Sequence, residues 1–198
     1  MRDPGPRDAL TGLPCRRAFV DRLQQAPGGG ALVYLDIDGL GYVNRFLGDW
    51  VGDDTVRDLA HLAREIAPTD SIIGRWGGDE VAIRLPAASK ASRVAEQLRQ
   101  IAERMWRQRR ALVHLEANAW PHPIGQVLSV SVGIAGSEVE PLGLWRAAQA
   151  CMDAKLCGRN RVVDARTVEV GLAVRDDALG WRRPFDGLSA LRDRMALP

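Results

Sequence analysis

Residues 71–85 read Ser-Ile-Ile-Gly-Arg-Trp-Gly-Gly-Asp-Glu-Val-Ala-Ile-Arg-Leu. Two short runs with branched apolar residues, 71–76 and 81–85, flank Gly77, Gly78, Asp79 and Glu80, the pattern of two strands joined by a tight hairpin. The turn therefore carries two carboxylates. Upstream, residues 31–36, Ala-Leu-Val-Tyr-Leu-Asp, form an apolar run closing on an acid, as expected of a buried strand that delivers Asp36 at its carboxyl end. Acids at strand ends beside a glycine turn suit a divalent cation, because hard cations take oxygen ligands and glycine lets backbone and phosphate approach closely. The same spacing is equally open to a structural reading, in which Asp38 and Glu80 cap turns and the other acids are solvated.

Helical patterns alternate with these strands. Residues 14–25 predict a first helix with proline at its start, closed by Pro27-Gly28-Gly29-Gly30. A short helix is expected over 40–47. A longer one over 51–67 has Val56, Leu59, Leu62, Ala63 and Ile66 on one face, and residues 88–109 repeat Val94, Leu98, Ile101, Ala102 and Met105 in the same way. Strands are expected at 111–117 and 128–135, a helix at 142–156, a weaker strand at 167–174 and a small helix at 188–195. Strands alternating with helices predict an α/β or α+β sheet layer.

Composition bounds the function. The 198 residues fit one domain with an appendage, and 46% hydrophobic with 26% charged residues is the make-up of a folded globule. Lys+Arg 27 against Asp+Glu 25 leaves a net charge of +2, without the broad basic face of a dedicated nucleic-acid binder. Cys15, Cys151 and Cys157 have neither disulfide-framework nor zinc-site spacing. The N-terminus lacks an apolar signal core, and no run approaches the roughly 18 apolar residues of a membrane span, so a cytoplasmic protein is expected. His61, His114 and His122 are isolated in sequence. Lysine occurs only at Lys90 and Lys155.

Five segments in order resemble the GGDEF family of diguanylate cyclases. They are Asp8-Ala-Leu-Thr-Gly-Leu-Pro-Cys-Arg-Arg17; Leu35-Asp-Ile-Asp-Gly-Leu-Gly-Tyr-Val-Asn44 with Gly48-Asp-Trp-Val-Gly-Asp53; Arg75-Trp-Gly-Gly-Asp-Glu-Val81; Leu128-Ser-Val-Ser-Val-Gly-Ile-Ala135; and Ala154-Lys-Leu-Cys-Gly-Arg-Asn-Arg-Val162. The resemblance divides the chain into a leader, 1–7, a GGDEF domain, 8–163, and a C-terminal extension, 164–198, expected to pack on the domain. It implies a palm-like nucleotide-cyclase fold with a central, mostly antiparallel sheet flanked by helices. It also implies a reaction: two GTP-loaded domains face each other, each 3′-hydroxyl attacks the partner's α-phosphate, and cyclic di-GMP and pyrophosphate result. A homodimer is thus implied for catalysis, with two Mg²⁺ or Mn²⁺ per half-site.

Carried over by residue, the resemblance makes Asp36, the Ile37 carbonyl, Asp79 and Glu80 metal ligands, with Asp79 and Glu80 catalytic. It makes Asn44 and Asp53 the readers of guanine, and Lys155 and Arg159 the cations on the terminal phosphates, with Gly77 and Gly78 beside the substrate. Lys155 and Arg159 also read as ordinary complements to a helix C-terminal dipole. The chain departs from the family at Gly41, where a lysine is usual, and at Arg45, where an aspartate is usual. Val81 replaces phenylalanine in the signature, and Cys15 replaces asparagine. Pro68 and Ser71 stand where many members carry an Arg-x-x-Asp product-inhibition site, so that feedback route is expected to be absent. Gly41 and Arg45 support an alternative reading, a catalytically degenerate GTP-binding or interaction module.

Overall fold

The computed structural model describes residues 5–112, 128–136 and 142–167. Helix α1 (Arg16–Gln24) leads into strand β1 (Ala31–Asp38), followed by helices α2 (Leu40–Leu47) and α3 (Asp49–Ile66). Strands β2 (Ile72–Arg75) and β3 (Glu80–Leu85) form the hairpin, and a 3-10 turn (Ala88–Lys90) opens into helix α4 (Ala91–Leu112). Strand β4 (Ser129–Gly136), helix α5 (Leu142–Leu156) and strand β5 (Val162–Asp164) complete the described chain. The sheet order is β2-β3-β1-β4-β5, antiparallel throughout except for the parallel β4–β5 pair. This is the mixed, mostly antiparallel sheet with flanking helices that the sequence implies.

β1 is buried along its whole length, which is why it reads as a continuous apolar run rather than an alternating one. Its side chains nevertheless alternate between two cores. Val33, Leu35 and Ile37 join Val81, Ile83, Val130 and Val132 under α3 and α4. Leu32 and Tyr34 face the opposite core, with Phe19 of α1 and Ala147 and Cys151 of α5. Continuing that alternation, Asp36 and Asp38 follow Leu32 and Tyr34, on the α5 side of the sheet.

α5 lies unusually close to that face. A Cβ built on Gly133 of β4 would stand 1.9 Å from the Ala147 carbonyl oxygen and 2.3 Å from the Cys151 amide nitrogen, so only glycine lets the helix seat there. The buried Cys151 thiol donates to the Ser131 carbonyl across the same contact, at 3.2 Å.

Several sequence expectations shift. Strand β1 runs two residues beyond the expected 31–36, so Asp38 is a strand residue rather than part of a turn. Helix α1 begins at Arg16, because Pro14 is held in a bridge with Arg7 and its carbonyl accepts from the Arg75 amide at 2.9 Å. Cys15 at its N-cap makes no side-chain capping bond. Helix α4 continues to Leu112 and so takes the first two residues of the strand expected at 111–117; the rest of that segment lies outside the described residues. β5 has only three residues, too few for a periodic signal, and was not expected. Of the strand expected at 167–174 only Thr167 is described, in a turn, and the helix at 188–195 lies outside the described residues. At the end of β5 and just beyond it, Ser92 donates to Asp164 at 3.2 Å and Arg166 donates to the Ala88 carbonyl at 2.7 Å; residues 168–198 of the expected extension lie outside the described residues.

Candidate active site

The register places Asp36 opposite Glu80 on β3 and Ser131 on β4, so the end of β1 meets the acidic hairpin. The Ile37 amide donates to the Asp79 carbonyl at 3.2 Å and fastens the turn to that strand end. Trp76 closes the hairpin from inside by donating its amide to the Glu80 carbonyl at 2.8 Å. The Glu80 side chain lies over Gly77: a Cβ there would stand 2.0 Å from Glu80 Oε2 and the carboxylate would have to turn aside, whereas a Cβ on Gly78 would meet only open space.

From the opposite side α5 delivers Lys155, whose Nζ stands 2.5 Å from Asp36 Oδ1. Asp36, Asp79, Glu80 and Lys155 thus form one electrostatic unit at one end of the sheet. Burial pushes the Asp36 carboxyl up, and the neighbouring Asp79 and Glu80 charges add to it against the pull of Lys155, leaving it at about 8. Glu80 is raised for the same first reason, burial, opposed by the hydroxyl of Tyr34 that bonds it. Burial is the largest single influence on Lys155 and works to lower it, yet the charge and hydrogen bond of Asp36 together with Cys151 and Asp79 hold the ammonium above its ordinary value.

Among the described residues no three acidic, imidazole or thiol groups converge closely enough to hold a metal ion. That does not disqualify the donor set. Magnesium is usually held by one or two carboxylates together with substrate phosphates, not by an all-protein cage. Crowded, mutually repelling carboxylates with a strongly raised Asp36 have the chemistry that a divalent cation relieves, so the residues fit the ion.

Asn44 and Asp53, the two residues expected from sequence to read guanine, lie on α2 and α3 respectively. Asn44 lies directly over Gly52, where a Cβ would come 1.7 Å from its side-chain oxygen. That oxygen is buried and has no hydrogen-bond partner among the described residues. Asp53 is exposed one residue further along α3. Arg159 follows α5, with its side chain 49% exposed and Nε 3.9 Å from Asp38. Gly41 is exposed, and Arg45 is exposed with its guanidinium 5.8 Å from the Phe46 ring centre.

Four supporting residues had no role assigned from sequence. Tyr34, one alternate position before Asp36, reaches Glu80. Gly52 makes room for Asn44. Arg75 donates from Nε to the Gly77 carbonyl at 3.0 Å and from Nη2 to the Gly78 carbonyl at 2.6 Å, while its Nη1 holds Asp8. Asp8 also accepts from the Thr11 amide and hydroxyl, so the N-terminal segment braces the acidic turn. Both Asp8 and Arg75 lie within the quoted segments, and that position was the available signal.

Comparison with known proteins agrees with this architecture. The family model described as "Diguanylate cyclase, GGDEF domain" matches residues 6–161, and the chain belongs to that family. The diguanylate cyclase DgcP of Pseudomonas aeruginosa is 32% identical over 170 residues, covering 82% of this chain and 24% of DgcP. Among solved structures, the GGDEF domain of DgcB from Caulobacter crescentus, in complex with c-di-GMP, superposes with a TM-score of 0.64 at 28% identity, covering 84% of this chain and 99% of that one. The diguanylate cyclase SiaD of Pseudomonas aeruginosa, in complex with its activator SiaC, gives a TM-score of 0.65 at 29% identity, covering 80% of this chain and 61% of that one. The chain spans about a quarter of the length of the first curated relatives it matches. No helix among the described residues is long and apolar enough to cross a membrane.

Proposed function

We propose that this domain is a diguanylate cyclase that condenses two GTP into cyclic di-GMP with release of pyrophosphate, across a homodimer in which each domain contributes one half-site. The observation that carries the reading is the meeting of Asp36, the Asp79-Glu80 hairpin and Lys155 at one end of the sheet. Asp36, Asp79, Glu80 and the Ile37 carbonyl would hold two Mg²⁺ or Mn²⁺. When bound, these ions neutralise charge on the phosphates and lower the pKa of the attacking hydroxyl. Asn44 and Asp53 bind the base: an amide and a carboxylate match the acceptor and donor edge of guanine, which adenine does not reproduce. Lys155 and Arg159 hold the terminal phosphates, and Gly78 leaves space for their approach. Lys155, paired with Asp36 in the structure, exchanges that partner for phosphate as substrate enters. Catalysis then consists of positioning and charge compensation.

The test is incubation of concentrated protein with GTP and Mg²⁺ or Mn²⁺, with products resolved by mass spectrometry. Cyclic di-GMP is expected from the wild type and a loss of at least about a hundredfold from Asp79→Ala, the scale of removing a principal electrostatic group. Binding of GTP without product would instead support a degenerate binding module. That second reading is favoured by Gly41, which leaves no cation at the position where the family carries one.

A further inference from the structure

The loop that follows α5 is held in an uncommon backbone conformation from two sides. α5 ends in a Schellman cap: the Arg159 amide donates to the Ala154 carbonyl at 2.9 Å and the Gly158 amide to the Lys155 carbonyl at 3.3 Å. Gly158, at φ 109°, takes the left-handed position that such a cap demands. Arg159 and Asn160 then continue with φ of 62° and 47°, a region that asparagine tolerates but arginine visits rarely, and then as single residues rather than in succession. Two successive residues there need external fixation.

One fixing point is Asp38. It is 2% exposed and spends its oxygens within the protein: Ser129 Oγ donates at 2.6 Å, Ser131 Oγ at 2.8 and 3.0 Å, and the Asn160 amide at 3.2 Å. The other is Arg99 of α4, which donates to Asn160 Oδ1 at 2.7 Å. Arg99 is itself oriented by Glu96 at 2.6 Å and Glu103 at 3.1 Å.

We propose that Asp38 and Arg99 clamp Asn160, one by its backbone and one by its side chain, and thereby position the adjacent Arg159 for the terminal phosphates of the nucleotide. Both are positioning residues, and neither is assigned contact with substrate or metal. The inference rests on the phosphate-binding role of Arg159 given above. Its physical content is that a long, half-exposed arginine binds a polyphosphate well only when its backbone is already oriented, so that little conformational freedom is lost on binding.

The test uses the full chain as wild type, Asp38→Asn and Arg99→Ala. Affinity is measured by calorimetry for GMP and for a GTP analogue with a methylene bridge between the α- and β-phosphorus atoms, which cannot release pyrophosphate. Amide exchange at Asn160 is followed in parallel. Arg99→Ala lies on a different element and keeps the proposal testable should Asp38→Asn fold poorly. The triphosphate analogue is expected to weaken by about tenfold in each variant, the scale of one charge-assisted hydrogen bond, with GMP changed less than about twofold on that scale. Exchange at Asn160 is expected to quicken. A triphosphate-to-GMP ratio unchanged in both variants would overturn the clamp, as would a parallel loss of both ligands. Should the wild type itself fail to prefer the triphosphate, the phosphate role of Arg159 falls, and exchange alone decides the clamp: unchanged rates would refute it and faster rates uphold it.

Discussion

Asp36 is the residue on which most of the site's electrostatics converge. Its carboxyl, pushed up to about 8 by burial and by its acidic neighbours, must release a proton before it holds a cation. On the proposed reading, apparent Mg²⁺ affinity should rise by up to about tenfold per pH unit between about pH 6 and pH 8 and then level off. Titration of Mg²⁺ against protein loaded with a non-reactive GTP analogue checks this; a flat profile would exclude Asp36 as the limiting ligand. The sign for folding is opposite. The folded state binds the proton more tightly than the unfolded chain, so this group makes the metal-free fold less stable as pH rises from 3.8 to about 8. Gly41 carries a second residue-scale expectation. A Cβ there meets nothing within 4 Å, and glycine within a helix is less favourable than a lysine by about 0.5–1 kcal/mol. Gly41→Lys should therefore raise the melting temperature slightly and, on the proposed reading, increase kcat severalfold by supplying the cation that the family carries at this position; an unchanged kcat would show that the missing lysine is not what limits turnover.

At the scale of elements, the contact between β4 and α5 fixes the distance from Lys155 to Asp36. Gly133→Ala would drive a methyl into backbone atoms of α5, which cannot move away as a flexible side chain would. The expected cost is about 1–3 kcal/mol, or a melting temperature lower by about 5 °C. Lys155 should move with the helix, so product formation should fall along with stability. Full activity in a destabilised variant would separate the seat of α5 from the site. The hairpin shows the limits of sequence reading at this scale. Its acids and glycines were legible because turn chemistry is local, and β1 was legible because a strand covered on both faces needs a continuous apolar run. The bracing of the turn by Arg75 and Asp8, 67 residues apart, was not, because a side chain's reach across the fold leaves no periodic trace.

For the whole molecule, each domain supplies one half-site on the proposed reading, so two must meet to make one product. Specific activity is expected to rise with protein concentration and to fall on dilution, tracking the dimer fraction measured by sedimentation. Constant specific activity in a preparation shown to be monomeric would overturn the cross-domain mechanism.

The sequence by itself determined the family, the order of most elements and the identity of the acidic, base-reading and phosphate-facing candidates, because these rest on local patterns and on five ordered segments. Only the tertiary structure decided that Lys155 pairs with Asp36, that Asn44 needs Gly52 beneath it, and that Asp38 is a buried strand residue tied to Asn160, 122 residues away. The physical reason is burial. A carboxylate in a strand can be a solvated turn residue, a ligand or an anchor, and which one it is depends on the donors that folding brings to it. Those donors come from β4, α5 and the loop beyond, whose approach no local pattern in β1 encodes.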